Sequence, residues 1–332
     1  MEPAAFFEPR GFVNHEVDLK LDRDSEDAGA RAERIFFREA GAAFPLRNSD
    51  KSAKAEPVAV RSDMTVAEAV EAIVRSCIRH LRANDLLVVE RREAAALHQV
   101  RVSMRRLRAA LSLFRPALKD QQLDSLRAEL RWFTGELGEA RNLDVFLTRK
   151  GLPKPMRAVL KSEREVAYDH VVEALQSNRL RLLLIDLIAW TELGQWKQGP
   201  KACRPLPDFV GRRLYKWWQR IVHHGDVTSM QAHERHELRI EIKKLRYSLD
   251  FVLPLHTSAG RKQRQFYKAV ERIQESLGEL NDMATASELW LKFGQPMRAR
   301  SDDSKCEEGC LEIAQASLDR LRRVGPYWTR LA

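Results

Sequence analysis

The side chains best suited to chemistry fall in two sets. In residues 97–111 (LHQVRVSMRRLRAAL), His98 is followed by Arg101, Arg105, Arg106 and Arg108. In residues 235–249 (RHELRIEIKKLRYSL), His236 is followed by Arg239, Lys243, Lys244 and Arg246. The offsets from the histidine are +3, +7, +8 and +10 both times. At 100° per residue, offsets 0, 3, 7 and 10 fall within an arc of about 80°. One histidine and three cations therefore line one helical face for about 15 Å. Such a row suits an anion with repeated acceptors, because arginine offers planar bidentate donors and lysine a point charge. A histidine near a helix N-terminus adds a donor where backbone N–H groups are also free. Arg106 and Lys244 stand about 80° off the row. They either reach the ligand or pair with acids elsewhere.

A helix must position each set. Val100, Met104, Leu107 and Leu111 in the first copy, and Leu238, Ile242, Leu245 and Leu249 in the second, follow the i, i+4, i+7, i+11 spacing of a helix packed on a core. The cations border that seam. The plain alternative is a solvated basic face. A repeated order of histidine, cation, cation pair and cation is more than exposed charge requires. Arg75, Arg79, Arg212, Arg213, Lys216 and Arg220 are additional candidate contacts to the same anion, although each alone reads as solvated.

Other chemistries find less support. His223, His224, Asp226, His233 and His236 cluster in sequence, but His233 and His236 lack the spacing of a paired-histidine metal helix. The four cysteines, Cys77, Cys203, Cys306 and Cys310, have no disulfide-framework spacing. Cys306 and Cys310 share a helix face with no histidine nearby, so no metal and no cofactor is expected. There is no Walker loop, no nucleophile–base pair and no carboxylate cluster of metal-site type, so the chain reads as a non-enzyme. Trp217, Trp218 and Tyr247 could stack on bases, which keeps nucleic acid as the runner-up ligand. The tryptophans, however, sit on an amphipathic helix as core residues would.

The composition bounds the partner. The 332 residues carry a formal net charge of +10 and a pI near 9.6. Residues 1–60 hold 9 basic and 12 acidic side chains, so the excess lies in the remainder. An anionic partner follows. No signal-peptide pattern is seen, and the longest apolar run, residues 182–190, is too short to span a bilayer. Reduced thiols and a cytoplasmic location are the default expectation.

Residues 1–60 read as a separate extension, with a strand at 12–21 and a short helix at 28–43. From residue 63 the pattern is helical, with Asp63 as the expected N-cap of the first helix. Further helices are expected over 121–137, 154–176, 179–193, 208–221, 261–277 and 304–323. Residues 199–207, with three prolines, divide residues 61–332 into halves 61–200 and 201–332. Segment 137–144 (LGEARNLD) returns as 277–284 (LGELNDMA), at nearly the same separation as the two histidines. One period joining two motifs indicates an internal duplication. Glu139, Asp144, Glu279 and Asp282 in these segments are expected to orient the arginines.

The two basic motifs, with LGEARNLDV and LGELNDMA, resemble the CHAD family, the conserved histidine α-helical domain. The resemblance covers about residues 63–325. It implies an all-α fold of two pseudo-symmetric four-helix bundles whose basic helices line a shared cationic surface. It also implies binding of inorganic polyphosphate and association with polyphosphate granules. The chain departs from the family at Arg141-Asn142, where Arg-Asp is frequent. The N-terminal piece resembles the closing strand and helix of a CYTH triphosphate tunnel domain. Glu16, Asp18 and Lys20 match its acidic-acidic-Lys strand, but the rest of the tunnel is missing. Triphosphatase activity is therefore expected only from a CYTH partner. The sequence fixes no oligomeric state.

Overall fold

The computed structural model describes residues 51–149, 152–255, 260–292 and 301–328. The strand and helix expected at 12–21 and 28–43 lie outside the described residues. Within them the chain is helical, and an isolated bridge between Thr65 and Pro205 is the extended pairing seen.

Ten α-helices occupy the described residues: α1 Val66–Arg91, α2 Ala94–Leu113, α3 Gln121–Glu136, α4 Gly138–Leu147, α5 Lys154–Gln176, α6 Asn178–Leu193, α7 Leu206–Val222, α8 Ala232–Val252, α9 Gly260–Lys292 and α10 Ser301–Val324. A short 3-10 turn, Gln195–Gln198, precedes α7. The N-cap of α1 is Thr65, which forms a reciprocal capping box with Glu68. Asp63, the expected cap, pairs with Arg61 at 3.0 Å instead. The capping box satisfies two orphan N–H groups at once and so outcompetes a lone aspartate. α1 ends at Arg92, in the left-handed region with φ of 47°. Its carbonyl there accepts 2.8 Å from Arg164 Nη2, and its guanidinium donates to Glu165 at 2.9 Å.

The helix contacts form two groups. α1 lies along α2 and also touches α6, α3 touches α6, and α4 lies along α5. α8 packs on α9, α9 lies along α10, and α7 packs on α8. The groups meet where α2 packs on α8, with α7 touching α1 and α2. The predicted seams are the reason. Leu97, Val100, Met104, Leu107 and Leu111 are each at most 1% exposed, as are Leu238, Ile242, Leu245 and Leu249. Each such side chain contributes about 1.5–3 kcal/mol by burial. Phe114 stacks on Phe209 at 5.9 Å between ring centroids, fixing the end of α2 against α7. Arg213 then donates to the carbonyls of Ser112 and Leu113, both at 3.2 Å, and so closes α2.

The two Leu-Gly-Glu segments differ locally. The first breaks into α3 and α4 at Leu137. The second runs unbroken through α9.

Candidate functional site

Packing of α2 on α8 brings the two basic rows together. Arg105 from α2 lies over Tyr247 from α8, with Cζ 5.7 Å from the ring centroid. Arg246 lies 5.5 Å from the same centroid. Tyr247 is buried and serves as an apolar, electron-rich spacer between the two cations.

Arg105 is the electrostatic hub. Its charge pushes down the pKa values of His98, Arg101, Arg141, Arg239 and Lys243. In each case burial is the larger cause. His98 falls to about 4, through burial and then the charges of Arg141, Arg105 and Arg101. Arg101 falls to about 10. Lys243 falls to about 8, through burial and then Arg239 and Arg105. Arg101, Arg105, Arg141, Arg239 and Lys243 are all half-buried, and none forms an ion pair with a carboxylate among the described residues. The Nε–H donors of Arg101, Arg105 and Arg239 are buried without an acceptor. The charge of Asp282 partly offsets the cluster at Arg239 and Lys243, and at Arg141 the charge of Asp144 does so more strongly than that of Asp282. The Asp282 carbonyl accepts from Arg149 Nη2 at 2.8 Å, which ties the end of α4 to α9. Like charges held this close in a half-dry setting raise the free energy of the unliganded fold.

The ten predicted residues do not all join. His98, Arg101, Arg105, Arg239 and Lys243 share the cluster. Arg108 is exposed and keeps company with Arg127 and Arg131 of α3, extending the positive surface sideways. Arg246 faces Asp250, Glu271, Tyr247 and Tyr267, and donates to Gln274 Oε1 at 3.4 Å. His236 and Lys244 are exposed. Arg106 turns away from the row and into the protein. It is 5% exposed, over the Phe251 ring at 5.3 Å, and donates to the Glu56 carbonyl at 3.4 Å. Its 80° offset places it on the α1 side of α2, so it belongs to the packing and not to the row.

The second set of cations divides likewise. Arg75 pairs with Glu192 and Glu71. Arg213 caps α2. Arg79, Arg212, Lys216 and Arg220 are exposed. Trp217 is buried as a core residue, and Trp218 is partly buried against the core.

Arg141 was missed by the sequence reading. The signal was present in the Leu-Gly-Glu segment, where Arg141 stands beside Asn142 and one helical turn before Asp144, whose charge acts on it. Asp144, expected to orient the row, instead accepts from Arg164 Nε and Tyr168 OH, both at 2.8 Å. Glu279 accepts from Cys310 Sγ at 3.0 Å. The histidine group does not assemble around a common point: His224 meets Glu241 at 3.0 Å, while His223 bonds the Gln219 carbonyl at 2.5 Å.

The family profile of the CHAD domain matches residues 72–291. The chain belongs to the CHAD domain family. Among solved structures it is similar to the CHAD domain from the plant Ricinus communis, at 27% identity and a TM-score of 0.66, over 82% of this chain and 96% of that one. It is also similar to PptA from Streptomyces chartreusis, at 16% identity and a TM-score of 0.48, over 79% and 98% of the respective chains. No curated protein matches. Among the described residues no helix is long and apolar enough to cross a membrane.

Proposed function

We propose that the chain binds inorganic polyphosphate without chemical turnover, along the seam where α2 meets α8. The observation that carries this reading is the cluster of Arg101, Arg105, Arg141, Arg239 and Lys243, half-buried and lacking carboxylate partners among the described residues. A protein holds such a cluster against burial and mutual repulsion when an anion completes it. A linear polymer with about one charge per phosphate supplies acceptors to donors from both helices at once and releases its counterions. On this reading the two rows are copies from an internal duplication, and residues 61–200 and 201–332 are its halves. The anion bridges them, and the protein sits in the cytoplasm on polyphosphate granules. Residues 1–60 are read as a remnant of a CYTH domain.

The test is replacement of Arg101, Arg105, Arg239 and Lys243 by glutamate, with retention of long-chain polyphosphate as the readout and helical content as the control. A folded variant that releases polyphosphate is the expected result. A folded variant that retains it as tightly as the parent would overturn the site. Competition with single-stranded RNA decides the runner-up: equal binding, with one salt dependence, would favour nucleic acid.

A further inference from the structure

Away from the basic cluster, α9 and α10 pack along one another and bring three metal-ligating side chains to one place. Cys306 and Cys310 stand one helical turn apart on one face of α10. Glu279 of α9, 31 residues before Cys310, points its carboxylate at them, with Oε2 3.0 Å from Cys310 Sγ. The two sulfurs and the carboxylate oxygen all lie within 4.8 Å of one another. No other such group of three is found among the described residues.

We propose that Glu279, Cys306 and Cys310 form a binding site for a thiophilic divalent cation, zinc being the fitting ion, with water in the fourth position. In a tetrahedral zinc site with sulfur ligands at about 2.3 Å and oxygen at about 2.0 Å, ligand atoms stand about 3.5–3.8 Å apart. Side-chain rotation of about 1 Å or less converts the observed triangle to that geometry. Cys310 is buried while Cys306 and Glu279 are exposed, so an ion enters from solvent and keeps one face open to water. The donor set of two thiolates and a carboxylate selects zinc or its soft analogues over magnesium and calcium. Binding replaces the S–H contact to Glu279 with two sulfur–metal bonds, and the two thiol protons leave to buffer. Burial and the Glu279 charge push the Cys310 thiol up to about 12 without an ion. A dication reverses both effects, since a coordinating thiol is deprotonated outright. The ion would clip α10 to the segment of α9 that carries Asp282.

The experiment uses the full chain, reduced beforehand with a phosphine, and titrated with cobalt(II) as the spectroscopic stand-in for zinc. One equivalent of cobalt should produce a thiolate-to-metal charge-transfer band that zinc bleaches. Cys306→Ser/Cys310→Ser should abolish the band, Glu279→Gln should weaken binding by about tenfold or more, and Cys77→Ser/Cys203→Ser should leave it intact. Zinc should also raise the unfolding midpoint of the parent and not of the Cys306→Ser/Cys310→Ser variant. No thiolate band in the parent, or a band that survives in Cys306→Ser/Cys310→Ser, would overturn the site. If that double variant fails to fold, Glu279→Gln decides: unchanged cobalt affinity overturns the proposal.

Discussion

Replacing Lys243 by methionine should make the free protein more stable and the polyphosphate complex weaker. Lys243 is half-buried beside Arg239, Arg105 and Arg101, and its pKa falls from 10.5 to about 8. At about 1.4 kcal/mol per pH unit, that fall corresponds to about 3 kcal/mol of unfavourable charge. Solvent screening of a half-exposed ammonium reduces it to about 1–2 kcal/mol. The sign follows from proton counting. Below pH 8 the lysine is charged in both states, and the folded state carries the whole cost. Between pH 8 and 10.5 the folded lysine has lost its proton while the unfolded one keeps it, so the cost fades. Above 10.5 both are neutral. Methionine keeps the stem's volume and packing but carries no charge. Lys243→Met should therefore gain about 1–2 kcal/mol over the parent in urea unfolding at pH 7, and the gain should vanish by pH 10.5. The same substitution removes one phosphate contact, which lowers polyphosphate affinity about tenfold or more and makes the salt slope shallower by about one. A variant less stable than the parent at pH 7, or one that binds as tightly, would refute the claim that this lysine is held ready for an anion.

Three further outcomes are expected. His98, driven down to about 4 by burial and three arginines, should take up a proton when an anion arrives; affinity measured by calorimetry should then rise as pH falls from 6.5 towards 4, and His98→Gln should flatten that rise. Arg105→Met should weaken polyphosphate binding about tenfold or more, whereas Arg106→Met, at a residue turned into the packing, should leave the dissociation constant within about twofold. Asp144→Asn should cost about 1–3 kcal/mol in chemical denaturation, because it removes the buried carboxylate that accepts from both Arg164 and Tyr168 and leaves Arg164 only its exposed pairing with Glu165.

The helices were largely legible because their apolar spacing is regular and their ends carry proline or glycine. α5 falls where the pattern puts it, and the seam residues of α2 and α8 are buried as their spacing requires. Misreadings came from competition that sequence spacing does not weigh. Thr65 displaced Asp63 because a capping box satisfies two donors. α7 begins at Leu206, two residues before the expected start, because prolines at 205 and 207 tolerate the first helical turn. Within the site, the rows were readable from their offsets, but which cations would share one space was not. That depends on how α2 rotates against α8. The rotation buries Arg106, sends Arg108 towards α3 and leaves Arg246 among acids. Arg141 joined from a segment read for its acids, and Glu279 met two cysteines across a helix pair that no local spacing links.

The most direct measurement of the central claim is the salt dependence of polyphosphate binding by the parent chain. Five clustered cations, Arg101, Arg105, Arg141, Arg239 and Lys243, predict a slope of log affinity against log salt of about −3 to −4, as for a flexible single strand. A slope near zero, or one that the four glutamate substitutions leave unchanged, would contradict the account.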